Sequence, residues 1–365
     1  MQNSVKYIVG GLFSIVVILG VWYFRSIFIY ICIAAILSLI TKPIVDIFKK
    51  IKIKKFRVGN GLAALLTILL VWVIIGCVFV FIIPLISSEF QYLSNIDTNY
   101  VIENSKRLMH EIIDPFRENN PTIYEYVENQ VRDVLFTLFN ISQVKGLFSS
   151  MLGFVGGTFI SAFSITFILF FFLKEQGLLL KGLLLFIPVK YEENVKNTLA
   201  SIKRLLRRYF IGILIQTSLI CILVTTGFLL IGMSFNHAAA IGVLCGMLNV
   251  IPYVGPLIGF ILGLVIGSVV YLHTPLGMGF LFYLLLICIV YGTIQLIDNV
   301  VFQPVIFSNS VMAHPLEIFI VILMAGFAFG IVGMFLAIPV YTILRVIARE
   351  FFSQYKIVRE ITGRM

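Results

Sequence analysis

The chain has 365 residues, of which 60% are hydrophobic and 12% charged, about half the roughly 25% charged share of a soluble domain. A mean hydropathy of +1.06 and several apolar runs of about 20 residues exclude a water-soluble globule, and a β-barrel would show short alternating segments instead. The net charge of +10 would suit a nucleic-acid partner only if the charges formed one patch, and they do not.

The composition therefore describes an all-α polytopic membrane protein, with apolar spans expected near 5–24, 26–41, 60–86, 150–173, 209–232, 238–272, 278–297 and 311–344. The first holds a single lysine, Lys6, at its start and has no Ala-x-Ala site before Arg25, so it reads as a retained span and not as a signal peptide. The second is short and can extend amphipathically through Ile44, Val45, Ile47 and Phe48.

Charge then orients the spans. Residues 42–57 carry seven bases and one acid, 174–208 eight bases and three acids, and 345–365 five bases and two acids, whereas 87–148 carry nine acids and five bases. Basic short loops stay cytoplasmic, which places both termini inside and 87–148 outside, consistently for all three basic segments. The expected organisation is spans 1–3 over 1–86, an outer helical insert at 87–148, span 4 with a cytoplasmic amphipathic segment at 149–208, a transport core at 209–345, and a cytoplasmic tail at 346–365.

Within the insert, Thr122 and Glu125 after Pro121 match a capping box. From Tyr191 to Phe210, Val195, Leu199, Ile202, Leu205 and Leu206 oppose Lys196, Lys203, Arg204, Arg207 and Arg208. That pattern fits either a helix on the anionic membrane surface or one docked on its own protein.

The five cysteines lie in apolar runs, with no CxxC and no histidine at metal-ligand spacing, so neither a metal nor a cofactor is expected. HExxH, GxxxxGK[ST] and GxSxG are all missing, which argues against an enzyme and an ATP-driven pump.

Residues 209–344 contain no Lys or Arg and only two acids, Asp298 and Glu317, with His237, His273 and His314. An ionisable group at membrane depth is costly and marks an ion or substrate pathway, unless Asp298 merely caps a helix at the interface. The 238–272 run is too long for one crossing and is interrupted by Asn249-Val-Ile-Pro-Tyr-Val-Gly-Pro256. The 311–344 run is also overlong and is broken near Gly326, Gly330 and Gly333. Paired interruptions point to a transporter site, either as kinked spans or as re-entrant hairpins, with packing kinks as the plain alternative. Gly255, Gly259, Gly263 and Gly267 recur every four residues and line one helix face, which allows close helix contact. On helix, Gln295 and Asn299 share a face next to Asp298. Glu317, beside His314 and Pro315, suits a helix start as well as a pathway.

The Ile251-Pro252-Tyr253-Val254-Gly255-Pro256 break, the Gln295-x-x-Asp298-Asn299-x-x-x-Gln303-Pro304 run, His314-Pro315 and the closing Gly326, Gly330, Gly333 and Pro339 resemble the autoinducer-2 exporter (AI-2E) family over nearly the whole chain. The resemblance implies secondary transport in the bacterial inner membrane. Some members are linked to export of a small furanone-type signal and others to sodium or lithium/proton antiport. It also implies a homo-oligomer, a pentamer being one form. The candidate substrate or ion pathway is then Asn249, Pro252, Gly255, Pro256, Gln295, Asp298, Asn299, Gln303, Pro304 and Glu317, and the two broken segments are expected to move together. A channel or a non-transporting scaffold is the competing reading. The expected partners are membrane lipids, a small polar solute and a proton or sodium ion, and not nucleic acid.

Overall fold

The computed structural model describes residues 23–95 apart from 51, 54 and 55, residues 159–273 apart from 176 and 186, residues 277–307, and residues 314–358 apart from 353, 356 and 357. Most of the expected first span, and the Thr122–Glu125 capping box, lie outside these residues.

Helices dominate: α1 (Arg25–Lys50), α2 (Asn60–Asn95), α3 (Phe159–Lys174), α4 (Leu178–Leu184), α5 (Glu192–Leu230), α6 (Phe235–Leu248), α7 (Val254–His273), α8 (Phe280–Ile297), α9 (Gln303–Phe307) and α10 (Pro315–Phe352). Between α1 and α2, β1 (Lys52–Ile53) pairs antiparallel with β2 (Phe56–Arg57) in a minimal hairpin. Among the described residues six helices are long and apolar enough to cross a membrane, and two shorter ones, Ile160–Lys174 and Phe235–Leu248, are apolar as well. The protein is an all-α polytopic membrane protein.

The chain forms two compact units: Met1–Ile74 with Val155–Arg207, and Ile75–Phe154 with Arg208–Met365. In the first unit α1 packs along α3 around buried Ala34, Val45, Ala63, Ala64, Ile68, Leu169 and Leu173. Alanines in this core let the helices approach closely in a medium where apolar side chains gain little by leaving lipid. The Tyr30 hydroxyl and the Ser161 hydroxyl share a hydrogen bond of 2.8 Å, and the Trp72 indole donates to Thr166 at 3.2 Å. The buried Thr41 and Thr67 hydroxyls donate to carbonyls one turn back in their own helices, so neither is left unpaired. The extension foreseen for the second span is present, since α1 runs on through Ile44, Val45, Ile47 and Phe48 to Lys50.

The amphipathic stretch expected at 191–210 continues without a break into the following span as the 39-residue α5. Its Ile202 and Leu206 are buried, while Lys196, Arg204, Arg207 and Arg208 are exposed. Protein covers this stripe at Ile202 and Leu206, whereas Val195, Leu199 and Leu205 are half-buried.

The second unit is built on buried Val224 and Phe228 of α5, Ile241 and Leu244 of α6, Ile266 and Val269 of α7, and Tyr283 and Ile287 of α8. The overlong 238–272 run is two helices, α6 and α7, packed against each other across a turn at 249–253. Tyr253 sits at φ 66°, a left-handed value that a bulky residue adopts only when its surroundings force it. Val254 N–H donates to Pro252 O and Gly255 N–H to Ile251 O. A Cβ on Gly255 would overlap the Leu248 carbonyl oxygen, so this turn admits only glycine. Pro256 fits because the first helical turn has no carbonyl waiting for its missing N–H.

The glycine face of α7 is a contact face, as its spacing suggested. Cβ atoms on Gly259, Gly263 and Gly267 would meet Cys245 of α6, Tyr291 of α8 and Ile287 of α8 respectively.

The last apolar run also reverses. Gly330 has φ 63° and ψ −149° inside α10, a region of backbone space open essentially to glycine alone. The Tyr341 hydroxyl donates to Glu317 Oε2 at 2.9 Å, although a straight helix would separate positions 24 apart by about 36 Å. A Cβ on Gly326 would meet the Met334 side chain, and one on Gly333 the Ala325 carbonyl. Residues 315–329 and 331–352 are therefore two antiparallel arms, and Gly326 and Gly333 permit their contact.

Candidate functional site: an amide-ringed carboxylate

The buried face of α8 runs through Tyr283, Ile287 and Ile294, and the next place on this stripe, four residues on, is Asp298. Asp298 is accordingly 1% exposed. Here the α-helix gives way to a π-helical turn, Asp298–Phe302, before α9. Pro304 accounts for the change: it has no N–H for the carbonyl at 300 and its ring crowds that turn. The ladder is instead closed by Gln303 N–H donating five residues back to Asp298 O. Such single-turn π-bulges recur at functional sites.

The widened turn gathers polar side chains. Gln303 Nε2 donates to Asp298 Oδ2 at 2.9 Å and to Asn299 Oδ1 at 2.8 Å. Gln295 Nε2 also donates to Asn299 Oδ1, at 3.2 Å. The other oxygen, Asp298 Oδ1, accepts from Gln216 Nε2 of α5 at 2.6 Å. Gln216 is 3% exposed, and its Oε1 has no hydrogen-bond partner. Among the described residues no ion pair reaches Asp298.

The expected residues thus fall into three places. Gln295, Asp298, Asn299, Gln303 and Pro304 form the cluster just described. Asn249, Pro252, Gly255 and Pro256 form the α6–α7 turn, with the Asn249 amide Nδ2 buried and unpaired. Glu317 is elsewhere, in the first turn of α10, held by Tyr341; nearby, the Leu316 N–H is received by His314 Nδ1 at 3.3 Å.

Helix packing relates the first two places. A Cβ on Gly242 would meet Cys221 and Thr225 of α5, and one on Gly246 would meet Thr217 and Cys221. The antiparallel register advances four residues on α6 for four back on α5, so its next turn sets Asn249 level with Gln216.

Gln216 is the residue that sequence reasoning passed over. It interrupts the stripe Ile213, Ile220, Val224, Phe228, all buried, at helical spacing. That interruption was the available signal.

The chain matches the AI-2E family transporter family across residues 12–353. It belongs to that family. Relatives in the family are named as transport proteins. "Putative transport protein YueF" of Bacillus subtilis (strain 168) is 26% identical over 331 residues, covering 88% of this chain and 84% of that protein. "Putative transport protein YrrI" of the same organism is 24% identical over 193 residues, 53% and 52% of the two chains. "Putative transport protein MJ1177" of Methanocaldococcus jannaschii is 23% identical over 329 residues, 89% of each chain. This AI-2E family member is therefore a multi-pass membrane transport protein.

Proposed function

We propose that the protein is a secondary transporter exporting a small polar solute such as the autoinducer-2 signal, coupled to an ion gradient, with Asp298 as the group that exchanges its ligand during the cycle. One observation carries the reading: a carboxylate 1% exposed whose oxygens are served by the side-chain amides of Gln216 and Gln303. Amide donors orient a carboxylate but do not cancel its charge, and a buried charge without a counter-charge is expensive. A proton, a small cation or a hydroxyl-bearing solute that approaches Asp298 relieves this cost, and its departure restores it.

Gln216 Oε1, buried and unpaired beside Asp298, favours a second reading, sodium or lithium/proton antiport, in which that amide oxygen and the carboxylate share the cation. Hard cations take oxygen ligands of this kind. Neither reading involves an enzymatic step. The two hairpins support either one: α6 and the 315–329 arm are about 21 and 22 Å long, short of the roughly 30 Å hydrocarbon core, so we assign both as re-entrant arms. The protein sits in the bacterial inner membrane as a homo-oligomer, with both termini and the basic segments cytoplasmic.

Asp298→Asn keeps the shape and removes the charge. In proteoliposomes this variant should insert and fold as wild type, yet lose coupled flux of sodium, lithium or the signal molecule. Wild-type flux with wild-type pH dependence in the folded variant removes Asp298 from the mechanism.

A further inference from the structure

A second titratable cluster lies at the opposite end of α6, and the amide-ringed site does not use it. Glu89, on α2, is 2% exposed. Its Oε2 is 2.6 Å from Nδ1 of His237, in the first turn of α6. Glu89 Oε1 and the hydroxyl of Tyr92 are buried and unpaired. The Tyr92 ring packs 4.6 Å from the His237 ring and 5.8 Å from that of His273, the last residue of α7. The titratable groups gathered here are Glu89 and Tyr92 from α2, His237 from α6 and His273 from α7. Among the described residues no lysine or arginine ion pair reaches Glu89. His237 and Asn249 are twelve positions apart, about 18 Å along the helix direction, so this is a separate site.

We propose that Glu89 and His237 form a proton-binding site that latches the end of α2 to the start of α6. With a neutral imidazole the pair carries one negative charge. One added proton makes it neutral overall, whether the proton rests on the ring or on the carboxylate. Enclosing a net charge in apolar surroundings costs far more than enclosing a neutral pair. The closed contact therefore holds the proton, and the open, hydrated arrangement releases it. Closure weakens as pH rises above the ordinary histidine value of ~6.5, where the open arrangement has already given up the proton that the closed one keeps. The free oxygen of Glu89 offers the entering proton a second place to bind.

Hydrogen exchange of the full chain in lipid nanodiscs, corrected for the chemical rate at each pH, reads the latch directly in segments 86–92 and 235–241. A one-proton latch raises the opening constant by up to about tenfold per pH unit, and wild type should show this rise. Glu89→Gln should abolish it and His237→Gln should move it down into the carboxylate range, whereas His273→Gln and Asp298→Asn should retain it. A flat wild-type profile overturns the proposal even if a variant fails to fold. So does an unchanged profile in Glu89→Gln, a profile left in the same pH range by His237→Gln, or a slope abolished by His273→Gln alone. The readout does not depend on transport, so failure here leaves the role of Asp298 untouched.

Discussion

Gln216 donates to one oxygen of Asp298 and Gln303 to the other, so replacing Gln216 by leucine strips a hydrogen bond from a buried carboxylate at little change in volume. Leaving such a group unpaired costs about 1–3 kcal/mol, whereas removing both partners is far closer to neutral. Gln216→Leu should therefore destabilise the protein by about that amount in denaturant unfolding. The double variant Gln216→Leu/Asp298→Leu should lose less than the sum of its two single changes, since the pair is in direct contact. Additive losses would mean that the 2.6 Å contact contributes nothing. Tyr253 shows the opposite kind of strain, in the backbone: its φ of 66° follows Pro252, whose ring fixes its own φ.

At the level of elements, the two interruptions were legible in the sequence and two other features were not. Length did most of the work, because runs of about 35 apolar residues exceed one crossing and the prolines and glycines mark where each must turn. The glycine spacing of α7 likewise announced a contact face. Gln216 was hidden because, unlike Gln295, Asn299 and Gln303, it has no acid near it along the chain, and one amide in an apolar stripe leaves its hydropathy almost unchanged. Glu89 was assigned to a polar insert because the apolar run stops near residue 86, yet α2 continues to Asn95 and the burial there is tertiary. Where Gly330 reverses the chain also needed three dimensions, since Gly326 and Gly333 were equal candidates by sequence. The reversal has a simple test. In a cysteine-free background, Glu317→Cys with Tyr341→Cys should be joined by a bifunctional thiol reagent about as long as the two side chains it replaces, because those side chains meet tip to tip at 2.9 Å whereas a straight helix would hold the positions about 36 Å apart. No bridge, with both thiols open to labelling, would mean a continuous helix.

For the whole molecule, the sparse charge of residues 209–344 and the three basic segments lead to one account: an apolar helical core with a single amide-ringed carboxylate at its π-turn and a buried acid–imidazole pair at the far end of α6. The proposed role of Asp298 calls for a carrier and not a pore, since that carboxylate is 1% exposed and a ligand bound there would have to enter and leave by movement. The direct test is flux in proteoliposomes holding the purified protein, with sodium, lithium or the signal molecule supplied against an imposed pH gradient. The account predicts flux that saturates with solute concentration and stops when the gradient is collapsed. Conductance that stays linear in driving force, or the absence of flux for every solute under every gradient, would contradict it.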